Sequence, residues 1–134
     1  MNLREALSIP YIRGAETIFD EDRQRWLRRF DYAELDGCAV ENDNTLDGLR
    51  ELEIARVACI VELMEAGRPI PRSRAPLLSE DVNLLLERLD IAIDPNLLAI
   101  DDTEAAHSPA FRKLADDLAE RAGRRVRPTR QVTS

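Results

Sequence analysis

The stretch 46–66 constrains the fold of this chain more than any other. Leu49, Leu52, Ile54, Val57, Ile60, Val61, Leu63 and Met64 recur there at spacings of three and four, the period of an α-helix. Thr45 stands where a cap belongs, Gly67 where a left-handed stop belongs, and Pro69 just beyond it, so both ends are marked. The apolar positions cover more than half the circumference, which predicts a central helix with neighbours on several sides. The remaining stripe, Asp47, Glu51, Ala55, Ala58, Glu62 and Glu65, is expected to face water.

Three further segments read as amphipathic helices. In 20–34, Asp20 is placed as a cap, two acids follow it, and Trp26, Leu27 and Phe30 form an apolar stripe. In 80–93, Ser79 is the cap and Val82, Leu85, Leu86, Leu89 and Ile93 share a face. In 109–122, Ser108-Pro109 opens the helix, Phe111, Leu114, Ala115, Leu118 and Ala122 line one side, and Gly123 closes it. Shorter helical pieces are expected at 2–8 and, after Asp94-Pro95, through Ile100. Asp36-Gly37 and the polar run 41–44 mark an irregular connection, in which residues 38–40 can form a short extended piece. The expected fold class is therefore all-α: a compact bundle of about five helices in one domain, 1–123, followed by a basic tail, 124–134.

Composition supports a packed core. Of 134 residues, 44% are hydrophobic and 34% charged, too apolar for a disordered chain. The longest apolar run, 57–61, is far short of a bilayer span. The first residues place Arg4 and Glu5 where a secretory leader needs apolar side chains, and Cys38 and Cys59 are a poor basis for a disulfide framework, so cytoplasmic residence is the expectation.

Charge is segregated. Residues 1–111 carry 12 basic and 23 acidic side chains, whereas 112–134 carry 7 and 3. Residues 31–65 alone hold ten acids against two arginines. Between the helices lies 68–76, with three arginines and three prolines, an extended exposed connector.

No catalytic constellation survives inspection. Glu104 and His107 have the Glu-x-x-His spacing of di-metal carboxylate bundles, but such a site needs two copies of the motif and this chain has one histidine. Asp43, Thr45, Asp47 and Gly48 imitate the start of a calcium loop, yet the position needing a bidentate acid is Ile54. Cys38 or Cys59 with His107 could pair as nucleophile and base, with nothing to bring them together. The five glycines are isolated, so no phosphate-cradling loop can be built. The expectation is a chain with no catalytic residue, no metal and no cofactor.

What remains is binding. The leading expectation is a non-enzymatic factor of the inhibitor, immunity, antitoxin, chaperone or adaptor kind, which occupies another protein's surface. The candidate contact residues are Asp43, Asp47, Glu51, Glu62 and Glu65 on the acidic side, and Arg68, Arg72, Arg74, Arg124, Arg125, Arg127 and Arg130 on the basic side. The partner would carry a basic, nucleic-acid-binding surface that the acids imitate. Two alternatives stand beside it: a nucleic-acid-associated regulator using the arginine arm 124–130, and a small metal-dependent helical enzyme using Glu104 and His107.

Overall fold

The computed structural model describes residues 1–73 and 81–123. The central helix is present as α2, Thr45–Glu65, but the molecule is not all-α. A three-stranded antiparallel sheet, in the order β1 (Arg13–Asp20), β2 (Arg25–Tyr32), β3 (Ala39–Asn42), packs against it. The protein therefore mixes sheet and helix, and the helical-bundle expectation is corrected.

The segment expected as a helix at 20–34 is instead the end of β1, a tight turn and all of β2. Its apolar letters suit both periods, because Trp26 and Phe30 are one helical turn apart and also fall on one face of a strand with Tyr32 between alternating neighbours. The Asp20 carboxylate does accept backbone N–H groups, from Asp22 at 3.1 Å and Arg23 at 3.3 Å. Those are the donors an N-cap would satisfy, but here they close a hairpin turn that Gln24 completes at φ +53°. The flanking Thr17-Ile18-Phe19 and Trp26-Leu27 are β-branched and aromatic, and pairing Ile18 with Leu27 and Phe19 with Trp26 decides for the sheet. The extended piece expected at 38–40 is β3, with bounds shifted by one or two residues.

Helix ends follow local chemistry closely. Asn44, one residue before the expected cap, accepts from the Asp47 amide at 3.0 Å and starts α2. Gly67 ends it at φ +69°, with the Arg68 amide on the Leu63 carbonyl at 2.8 Å. The helix α1, Leu3–Leu7, carries a capping box between Asn2 and Glu5. Asp81 caps α3, Val82–Leu89; Ser79 and Glu80 lie outside the described residues. That helix stops short of residue 93 because Asp90 turns left-handed at φ +54°. Arg50 donates to the Arg88 carbonyl at 2.5 Å and Arg121 to the Asp90 carbonyl at 2.8 Å, so two cations close the negative end of α3. Asp94 and Asp101 cap the single turns α4, Pro95–Leu98, and α5, Asp102–Ala105; the second of these was not expected. Ser108 accepts from the Phe111 amide at 3.2 Å to begin α6, Pro109–Arg121.

The core gathers around α2. Leu52, Val57, Ile60, Val61 and Met64 are sealed between Leu3 and Leu7 of α1, Phe30 and Tyr32 of β2, Leu85, Leu86 and Leu89 of α3, and Phe111, Ala115 and Leu118 of α6. The stripe expected to face water is wet only in part, since Ala55, Ala58 and Glu65 are buried. A sheet on one side and α6 on the other leave α2 no fully solvated face along its second half.

Gly48 lets α2 lie down on the sheet. A methyl group there would stand 2.6 Å from the Phe30 ring and 3.2 Å from Asn42 Cβ, and Phe30 is itself buried. Gly48→Ala gains about 1 kcal/mol of helix propensity but forces this contact apart at a cost of about 1–3 kcal/mol. The expected outcome in denaturant titration is a net loss of about 1 kcal/mol, reversed to a gain when Phe30→Leu makes room. Stabilisation by Gly48→Ala alone would contradict the packing.

Candidate functional site

The end of the β1–β2 hairpin exposes the chain's most unusual surface. Phe19 and Trp26 stand opposite one another across the strands, ring centroids 5.2 Å apart, with Trp26 65% and Phe19 45% exposed. An edge-tilted aromatic pair of this kind normally lies inside a protein. Leu46, at the start of α2, is 79% exposed.

Two hydrogen bonds join the hairpin to the loop before α2 and so hold these three groups at one end of the molecule. Arg25 pairs with Asp43 at 3.1 Å, and Arg28 donates to the Thr45 hydroxyl at 2.7 Å. Asp47 lies in the first turn of α2, and Glu51 accepts from the Asn42 amide nitrogen at 3.0 Å. Of the expected acidic residues, Asp43 is therefore tied to the hairpin directly, and Asp47 and Glu51 follow it in the first two turns of α2.

The other expected contact residues sit elsewhere. Glu62 and Glu65 are roughly 22 Å and 27 Å beyond Asp47 along α2. Glu62 borders a cavity of about 380 Å³ with Glu34, Asp36, Cys59 and Arg68. Glu65 is buried, 1% exposed, and presents nothing to a partner. Arg68 also borders a second cavity, of about 370 Å³, with Asp102, Thr103 and His107. Arg72 is exposed in the connector. Arg74, Arg124, Arg125, Arg127 and Arg130, and the whole tail 124–134, lie outside the described residues.

Neither cavity brings a cysteine and the histidine together. Cys59 borders the first and His107 the second, and Cys38 is buried. Glu104 belongs to α5, which ends at Ala105, while His107 follows in a turn closed by its amide on the Glu104 carbonyl at 3.0 Å; the pair does not share a helical face. Asp43 and Thr45 of the calcium-like run are engaged by arginines. Among the described residues, no group of three or more His, Cys, Asp or Glu side chains could hold a metal ion.

One polar cluster was not foreseen. Arg56, 1% exposed in the middle of α2, pairs with Glu53 at 3.3 Å and donates to the Ile9 carbonyl at 3.3 Å. Its guanidinium lies 5.8 Å from the Tyr32 ring centroid, and the Tyr32 hydroxyl donates to Glu53. Tyr11 stands edge-on to Tyr32 at 6.3 Å and donates to the Pro71 carbonyl at 2.5 Å. Burial pushes the Tyr11 phenol up to about 12, against the opposing pull of Arg56. Burial first, and the Glu53 carboxylate second, raise Tyr32 further. These groups tie the segment after α1, β2, α2 and the connector together. The available signal was a lone arginine inside the apolar run 54–61.

Fold and site together define a small α+β protein with an exposed aromatic pair on its β1–β2 hairpin. Comparison with known proteins gives no matching family model, no matching curated relative and no matching solved structure. Among the described residues, no helix is long and apolar enough to cross a membrane.

Proposed function

We propose that this protein is a non-enzymatic binding factor, of the inhibitor or adaptor kind, which engages another protein with the end of its β1–β2 hairpin. The observation that carries the reading is the exposure of the tilted Phe19–Trp26 pair. Tryptophan and arginine dominate the energetic centres of protein interfaces, where an apolar core is ringed by polar groups that exclude water. Trp26, Phe19 and Leu46 supply that core; Arg23, Arg25 and Arg28, with Asp43, Asp47 and Glu51, supply the rim.

The mixed rim favours a protein over a nucleic acid. Phosphates drawn to Arg25 would meet the carboxylates of Asp43 and Asp47 at the same end, and backbone binding needs a surface of one sign. The partner's matching surface has an apolar pocket flanked by charges of both signs, the basic ones facing Asp47 and Glu51. Cytoplasmic residence belongs to the same reading; two buried free thiols, Cys38 and Cys59, support it.

Affinity capture from the native host, with wild-type protein beside Trp26→Ala, tests this. The expected result is a partner held by the wild type and bound about 30-fold more weakly by the variant, the effect of losing a hot-spot tryptophan worth about 2 kcal/mol. Because Trp26 is the chain's single tryptophan, its emission should also shift to shorter wavelength as partner is added. Equal retention by both proteins, or capture of nucleic acid that salt abolishes, would overturn the proposal.

A further inference from the structure

We infer that β1 is a self-pairing edge, and that two copies of this chain join through it into one continuous six-stranded antiparallel sheet. The inference is independent of the partner reading above.

Among the described residues, the sheet order leaves β1 paired on one side only. It is eight residues long, twice the length of the other edge strand, β3, and so presents a long row of unpaired backbone donors and acceptors. Helix α2 covers Phe30 and Tyr32 of β2 but not the adjoining face of β1. Ala15, Thr17 and Phe19 share the face of Phe30, Arg28 and Trp26, their partners in register, and all three are exposed. Both the edge and part of the face are thus open.

Symmetry then selects a register. A two-fold axis relating antiparallel copies of one strand stands perpendicular to the sheet, so opposed residues must lie on the same face. The axis must therefore pass through a residue, not between two. Centred on Glu16, the pairing sets two carboxylates face to face. Centred on Ile18, it opposes Glu16 with Asp20 at both ends. Centred on Ala15, it abandons Phe19 and Asp20. Centred on Thr17, it opposes Thr17 with Thr17, Ala15 with Phe19, Glu16 with Ile18, Gly14 with Asp20 and, at each end, Arg13 with Glu21.

That last register has no like charges opposed, keeps the full strand and gains an opposite-charge pair twice over, each a favourable cross-strand pairing. Neither Arg13 nor Glu21 has an ion-pair partner within its own chain among the described residues. Phe19, half-exposed in one copy, gains the Ala15 methyl group of the second. Because the axis preserves the face, both Phe19–Trp26 pairs end on the same side of the joined sheet, which gives the assembly two anchors in place of one.

Thr17 is the decisive position, since only in this register does it meet itself. Sedimentation equilibrium should find the wild type dimeric. Thr17→Glu and Thr17→Lys should each shift dissociation by about tenfold or more towards monomer through like-charge opposition, with circular dichroism unchanged because the side chain is exposed. An equimolar mixture of the two variants should restore a dimer. A monomeric wild type, or a Thr17→Glu protein as dimeric as the wild type, would overturn the inference. Trp26→Ala, which lies off this edge, should leave the dimer intact, so failure of the anchor and failure of the edge are read separately.

Discussion

Replacing Arg56 with alanine is expected to remove about 3–5 kcal/mol of folding stability, out of the ~5–15 kcal/mol typical of a domain. The guanidinium is 1% exposed and serves several groups at once: the Glu53 carboxylate at 3.3 Å, the Ile9 carbonyl at 3.3 Å and the Tyr32 ring. Truncation leaves a carboxylate in a largely dry setting without its cation, and a carbonyl without its donor. Lysine cannot replace it, because one ammonium lacks the planar fork that reaches a carboxylate and a carbonyl together. Equilibrium urea unfolding measures the loss. Combining Arg56→Ala with Glu53→Gln should cost less than the sum of the two single changes by at least about 1 kcal/mol, since removing the charge removes part of the penalty. A loss below about 1 kcal/mol for Arg56→Ala would show that the cluster does not bind the elements together.

The second large effect is at alkaline pH. An unfolded tyrosine ionises near 10, whereas folded Tyr11 holds its proton to about 12 and Tyr32 holds it longer, both chiefly because burial disfavours the phenolate. The native state therefore keeps protons that the unfolded chain releases. Stability from these groups is complete below pH 10 and is lost as pH rises through the folded values. The chain has only these two tyrosines, so tyrosinate absorbance reads the cluster directly. Neither phenol should titrate near pH 10 while the fold is intact; both should appear towards pH 12 and above, together with loss of the circular dichroism signal. A full tyrosine equivalent ionising near pH 10 in folded protein would contradict the burial of that side chain.

Both effects arise from residues whose roles depend on neighbours distant in sequence, and this marks the boundary of what local reading reaches. Helices α2 and α6, the start of α4 at Asp94-Pro95 and the left-handed glycines Gly67 and Gly123 were legible, because caps, prolines and a period of 3.6 are written in consecutive residues. The hairpin was not. Asp20 makes the same backbone contacts at a turn as at a helix start, and the spacing from Trp26 to Phe30 satisfies a helix and a strand alike. The run Thr17-Ile18-Phe19 carried the contrary signal, and cross-strand pairing gave it weight.

The candidate site divides in the same way. Asp43, Asp47 and Glu51 were picked out by charge, and of these Asp43 pairs with Arg25 at the start of β2. Glu65 was chosen on the same stripe, but the chain packs around the second half of α2 and buries it. Trp26 was expected on the apolar stripe of a helix; with Phe19, its cross-strand partner, it is instead among the exposed large hydrophobic side chains. Arg56 sat in plain view within an apolar helix, yet its partners at Ile9 and Tyr32 are 47 and 24 positions away.

Residues 13–32 form a hairpin that leaves Phe19 and Trp26 exposed. Nuclear Overhauser contacts on labelled protein test it most directly. Cross-strand backbone contacts joining Ala15 with Phe30, Ile18 with Leu27 and Phe19 with Trp26 are the predicted result. A ladder of contacts three residues apart through 20–34, the signature of a helix, would contradict it.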